Sequence, residues 1–175
     1  MSTMTSDVIW GRPVTTAALA IVLIGAVTIL GAWFFQYGLG LKPCPLCLEQ
    51  RVPYYIGIPL ALVVAIAAWR GAPRALIVGG LVVLAGLMLW TCGIAVFHAG
   101  VEWKLWEGPS TCSGAQQITT NAGSMLDALK QTNVVRCDQA AWRFIGLSFA
   151  GWNVLASLFI AFLGARASSE SVRPR

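Results

Sequence analysis

The chain has 175 residues, 57% of them hydrophobic and 11% charged, with a formal net charge of +5 and a mean hydropathy of +0.72. Soluble domains run at about 45–50% apolar and about 25% charged, so a water-soluble globule is excluded, and so apolar a chain cannot stay solvated as disorder. The basic residues are scattered singly and make no stripe, which argues against nucleic-acid binding.

Residues 13–41, 52–69, 75–101 and 144–165 carry no Asp, Glu, Lys or Arg and are 29, 18, 27 and 22 residues long. About 20 apolar residues cross a bilayer as a helix, which satisfies its own backbone inside lipid. The sequence therefore predicts an all-α membrane protein, a four-transmembrane-helix bundle forming a single domain over residues 1–175. Its helices are expected at about 14–36, 48–69, 75–98 and 144–165, with loops at about 37–47 and 99–143. The first apolar run is longer than the ~7–15 residues of a signal-peptide core and no clear Ala-x-Ala site follows it, so it is read as a helix of the mature protein.

The first loop ends in Lys42-Pro43-Cys44-Pro45-Leu46-Cys47-Leu48-Glu49-Gln50-Arg51. Pro45 suits the first helical position, where its missing N–H costs nothing. Cys44 is then the cap and Cys47 lies in the first turn, where unpaired N–H groups and the positive end of the helix dipole stabilise a thiolate. On a continuous helix Cys44, Cys47 and Arg51 are spaced i, i+3, i+7 and share one face, so the guanidinium further stabilises negative charge and can bond an acceptor oxygen. Pro53 and Pro59 interrupt the second helix, freeing the carbonyls of Glu49 and Tyr55 and bending it.

The second connection is short and carries Arg70 and Arg74. The third helix holds Cys92, read as a buried filler thiol, and ends at His98, the sole histidine, just before Glu102. A lone interfacial histidine is more often a boundary residue than a catalyst, but this one is level with the C-x-x-C. The long loop carries Cys112 and Cys137, and residues 124–130 suit a short helix with Met125, Leu126 and Leu129 on its apolar face. Trp10, Trp33, Trp69, Trp103, Trp106 and Trp142 fall near segment ends, where an indole sits in the headgroup layer; Trp90 and Trp152 fall deeper and read as packing residues. Residues 168–175 read as a frayed tail.

Each side of the membrane holds six Lys and Arg, but four on the loop side sit in or beside the loop of about forty residues, which counts for little. By density, both termini are cytoplasmic. Four of the five cysteines fall in the two loops on the opposite side. An even set there indicates disulfides, which persist in oxidising compartments, and puts those loops outside the cytoplasm. Four cysteines allow three pairings, and the spacing alone leaves the choice open. Structural zinc is disfavoured because Cys112 and Cys137 are 25 residues apart, and a c-type haem because Leu48 stands where a histidine is needed.

Together the Cys44–Arg51 segment, His98-Ala99-Gly100-Val101-Glu102 running to Gly108-Pro109-Ser110-Thr111-Cys112, and Arg136-Cys137-Asp138 resemble the DsbB disulfide bond formation family over nearly the whole chain. The resemblance implies a bacterial inner-membrane protein thiol:quinone oxidoreductase with its active cysteines on the periplasmic side. A reduced periplasmic DsbA-like thioredoxin-fold partner would attack a Cys112–Cys137 disulfide at Cys112, and Cys137 would exchange with Cys44. Cys47 would then engage ubiquinone or menaquinone, with Arg51 stabilising the charge and His98 matching the family's quinone-proximal histidine. A vitamin-K-epoxide-reductase-like enzyme is a rival, but there the loop cysteines precede the C-x-x-C. The other rival is a non-catalytic scaffold merely stapled by disulfides.

Overall fold

The computed structural model describes residues 3–109, 112 and 136–172, with side chains from residue 13 onward. It is mostly helical, and four segments are long and apolar enough to cross a membrane: Pro13–Gly38, Pro45–Trp69, Arg74–Glu102 and Phe149–Val172. Helix α1 (Thr3–Trp33) runs into a π-helical turn at Phe34–Gly38. A one-turn helix α2 (Pro45–Glu49) precedes α3 (Val52–Trp69), and α4 is Arg74–Glu102. Strands β1 (Arg143–Phe144) and β2 (Leu147–Ser148) pair antiparallel, Arg143 with Ser148, and lead directly into α5 (Phe149–Val172).

The long helices form a ring in the order α1, α3, α4, α5, with α5 closing back on α1. Small residues let them approach: Ala18, Ala61 and Ala95 are fully buried, and a Cβ on Gly57 would meet Met88 Cε at 2.9 Å. Lipid tails are as apolar as leucine, so close packing of small residues, rather than expulsion of water, is what draws such helices together. Leu23, Leu30, Val63, Phe159 and Phe162 lie exposed on the outside of the ring, the arrangement suited to hydrocarbon surroundings.

Several element boundaries differ from the sequence reading. The second span is not one helix from residue 48: α2 starts at Pro45, the chain breaks at residues 50–51, and α3 restarts with Pro53 in its first turn. Gln50 and Arg51 keep right-handed helical dihedrals through the break, so Cys44, Cys47 and Arg51 stay on one side of the span, although not along one continuous helix. The third helix continues a turn past His98 and takes in Glu102. The last helix begins at Phe149, not residue 144, because Ile145 (φ 52°) and Gly146 (φ 80°) turn the preceding residues into the hairpin. It also runs on to Val172, where an Arg166–Glu170 ion pair at 2.9 Å braces a stretch expected to fray. Trp90 is 66% exposed and not a packing residue; an indole among lipid tails has no need of the interior. Residues 124–130, assigned a short helix above, lie outside the described residues.

Candidate functional site

All six residues singled out from the sequence converge at one end of the ring, where α2 meets the ends of α1 and α4 and the start of α5. Cys44 is the N-cap of α2, in extended conformation, and Pro45 follows it in the first turn. Cys44 Sγ accepts from the Cys47 N–H at 3.3 Å, and the two sulfurs lie 2.7 Å apart as thiols. The hydrogen bond to Cys47, together with burial, pushes the Cys44 thiol well above its ordinary range. Cys44 is buried, and Cys47 is partly open.

Cys112 and Cys137 form a disulfide, which packs with Cys44, Leu46 and Val101 in one buried cluster that Cys47 and Ile94 border. The loop disulfide thus lies against the C-x-x-C, although more than sixty residues separate Cys44 from Cys112 in sequence. Next to Cys137, Arg136 makes a bidentate pair with Asp138 at 2.7 and 2.9 Å, which holds the exposed Asp138 carboxyl below its usual range. Cys92 lies apart on α4, with Sγ 3.9 Å from the Val154 carbonyl of α5.

His98 is buried, with Nε2 3.6 Å from Cys44 Sγ and 3.8 Å from Glu102 Oε1. Its Nδ1 lies 2.8 Å from Gln50 Nε2. The Gln50 Oε1 accepts from Asn153 Nδ2 at 2.7 Å, and Asn153 Oδ1 accepts from the Tyr54 hydroxyl at 2.6 Å. Glu102 is buried too, and its Oε2 has no hydrogen-bond partner among the described residues. The ligand atoms of Cys44, Cys47 and His98 fall within 4.8 Å of one another, a spacing that by distance alone could hold a metal ion.

A cavity of about 480 Å³ opens beside this cluster, between α1 and α5. Cys44, Cys47, Arg51, His98 and Glu102 form its polar end, and residues such as Val27, Ile29 and Ala156 its apolar walls. Phe35, Trp142 and Phe149 line it as an aromatic cluster with centroids 4.8–5.4 Å apart, Trp142 stacked on Phe149 and Phe35 edge-on to Phe149. Arg51 Nη1 donates to Gln36 Oε1 from the π-helical turn, which holds the guanidinium at the cavity wall. Arg51 and Cys47 line this cavity from either side of the turn at residues 50–51.

Sequence reasoning passed over Gln36, Gln50, Thr91, Glu102 and Asn153. Thr91 and Asn153 sit inside apolar spans, where polar side chains are expensive and face the bundle interior; that signal was available. Gln36 and Gln50 lie at segment ends, where polar residues are ordinary, and nothing local distinguishes them.

Residues 14–166 match the family model described as Disulfide bond formation protein DsbB. The chain is 32% identical over 152 residues to Disulfide bond formation protein B of Saccharophagus degradans, covering 85% of this chain and 87% of that protein. It is 28% identical over 167 residues to the protein of the same name from a Polaromonas species, covering 90% and 92%. The Xanthomonas campestris protein of that name is 29% identical over 147 residues, covering 82% and 84%. No solved structure matches the chain.

Proposed function

The chain belongs to the DsbB family of disulfide bond formation proteins, and from that membership and the site geometry we propose that it is a protein thiol:quinone oxidoreductase that reoxidises a periplasmic DsbA-like dithiol protein. The net reaction moves two electrons and two protons from the partner's dithiol to a quinone, leaving a disulfide on the partner. The observation that carries this reading is the packing of the Cys112–Cys137 disulfide against Cys44, beside a cavity into which Cys47 opens.

In the proposed sequence a partner thiolate attacks the Cys112 sulfur of the loop disulfide and releases Cys137 as a thiolate. Cys137 then attacks Cys44 of a Cys44–Cys47 disulfide and frees Cys47. A second partner thiol resolves its bond to Cys112, and the freed Cys112 thiolate attacks Cys137, breaking the Cys137–Cys44 bond and releasing Cys44. Exchange of this kind needs sulfurs in reach of one another, and the shared buried cluster supplies that reach. Thiols at Cys44 and Cys47 beside a closed Cys112–Cys137 disulfide match the distribution reached once the electrons have moved inward.

The residues around the cavity fit ubiquinone or menaquinone. Aromatic faces and edges with aliphatic walls suit a ring with an isoprenoid tail, and the polar end offers the guanidinium of Arg51 and the imidazole of His98. Bound there, a quinone supplies a two-electron, two-proton acceptor. Cys47 presents its sulfur to that space, Arg51 provides positive charge at its edge, and Glu102 offers an unpaired acceptor oxygen suited to a hydroxyl. The proposed orientation places both termini in the cytoplasm, and the site end of the ring on the periplasmic side of the inner membrane. The single domain spans 1–175.

The test is anaerobic quinone reduction by the purified protein, driven by a reduced DsbA-like partner, with wild type beside Cys47→Ser. Stoichiometric loss of quinone in wild type alone is expected. Folded wild-type protein that leaves both partner and quinone unchanged would overturn the reading in favour of a stapled scaffold.

A further inference from the structure

Residue 53 is proline and has no N–H, and the Tyr54 N–H turns to the Arg51 carbonyl at 3.1 Å. The start of α3 therefore leaves the Gln50 carbonyl to another donor. Thr91 on α4 is that donor, its hydroxyl reaching Gln50 O at 2.8 Å. A hydroxyl has one proton to give. With it committed, Thr91 Oγ1 meets Asn153 of α5 only as an acceptor, so Asn153 turns Nδ2 toward it, at 3.5 Å. The same Nδ2 donates to Gln50 Oε1 at 2.7 Å, while Asn153 Oδ1 takes the Tyr54 phenolic proton at 2.6 Å.

With its oxygen engaged, the Gln50 amide can present only Nε2 to His98 Nδ1, at 2.8 Å. An amide N–H donates and never accepts, so Nδ1 is the unprotonated ring nitrogen, and the neutral imidazole carries its proton on Nε2. Gln50, Thr91, His98 and Tyr54 are buried and Asn153 is half-buried, which limits the water that competes with this chain.

We propose that Gln50, Thr91 and Asn153 are positioning residues that lock His98 as the Nε2–H tautomer, aiming its proton at Cys44 Sγ and Glu102 Oε1. His98 then acts on the cysteine pair as a hydrogen-bond donor and not as the base that takes the Cys44 proton. It also has no Nε2 lone pair to offer a metal, so the Cys44–Cys47–His98 trio does not ligate zinc in this state. The groups facing the ring are Cys44 from the start of α2, Gln50 from the break after it, Glu102 from α4 and the backbone of Cys137. The role in turnover rests on the proposed oxidoreductase reading; the tautomer does not.

His98 is the sole histidine, so histidine labelled with nitrogen-15 gives two ring signals and no overlap. The experiment records them for the full-length reduced protein near neutral pH, for wild type and for Gln50→Glu, whose carboxylate accepts a hydrogen bond and donates none. Wild type is expected to show a protonated Nε2 and a bare Nδ1, and Gln50→Glu to exchange the two. A proton on Nδ1 in wild type overturns the proposal, and so does a folded Gln50→Glu whose tautomer is unchanged. Should Gln50→Glu not fold, the wild-type spectrum still decides. Quinone reduction by the same wild-type sample reads the catalytic assignment separately: Nε2–H without turnover rejects that assignment and leaves the tautomer standing.

Discussion

Cys44 Sγ sits 3.6 Å from His98 Nε2, which joins the cap of a one-turn helix to the far end of a 29-residue one. The contact places a thiol and an imidazole at one edge of the bundle, where both line the cavity and the loop disulfide packs behind the thiol. Cys44 is the inner member of this group, held protonated by Cys47 and by burial. Cys47 is the more exposed of the two thiols that line the cavity.

That difference sets a pH dependence. Unfolding returns Cys44 from its raised value to an ordinary thiol near 9.0. Above that pH the unfolded chain loses a proton that the folded one keeps, so stability falls as pH rises, by at most about 1.4 kcal/mol per pH unit for one proton. Below pH 9 the contribution is fully present. The melting temperature of the reduced protein is expected to drop between pH 9 and 10 more steeply than that of Cys44→Ala, and parallel curves for the two would refute the assignment.

Arg51 reaches the cavity wall held by Gln36, and each side chain has a separable effect. Charge-assisted hydrogen bonds contribute about 1.5–3 kcal/mol, so Arg51→Ala is expected to raise the quinone KM by about 10- to 100-fold. Gln36→Leu leaves the charge but frees the guanidinium, at about 1 kcal/mol or roughly fivefold. Neither change touches Cys112 or Cys137. The single-turnover rate of mixed-disulfide formation with the partner should therefore stay at the wild-type value, and a parallel loss there would contradict the placement.

The spans were legible because charge-free runs report directly on the solvent that a bilayer provides, and Cys44 as a cap followed from Pro45. What periodicity could not reveal was the break at residues 50–51. Pro53 alone signals only a missing N–H, and whether the helix bends or restarts depends on a donor from another helix, here Thr91. The same holds for the hairpin before α5: Ile145 at positive φ is a conformation β-branched residues seldom adopt, and its sequence gives no warning. Glu102 stands just past His98 in the sequence, but its burial follows from α4 running a turn further than charge placement indicated.

Close approach of α3 and α4 provides a stability test away from the site. A Cβ on Gly80 would fall 2.6 Å from Val64 Cγ2 and meets nothing else closer than Val64 Cβ at 4.0 Å. Gly80→Ala should therefore destabilise by about 1–3 kcal/mol through overpacking. Val64→Ala on its own opens a void, yet in the double variant each change relieves the other. Thermal unfolding of the four proteins is expected to show favourable coupling above about 0.5 kcal/mol. Simple additivity would mean that the helices separate here to absorb the methyl group.

The buried loop disulfide sets the last expectation. Cys112 is 3% and Cys137 0% exposed, so an attacking thiolate cannot reach either sulfur until this cluster opens. Val101 packs directly against the pair from the last turn of α4. Shortening it to alanine removes the equivalent of two methylene groups, about 0.8 kcal/mol each, from the closed state. If opening precedes attack, Val101→Ala speeds reduction of the disulfide by a small dithiol about tenfold, since each 1.36 kcal/mol is a factor of ten in rate. Stopped-flow reduction, followed by trapping of the released thiols, measures this. An unchanged rate would place attack on the closed form, and the route to Cys112 would then have to pass through the partly open side next to Cys47.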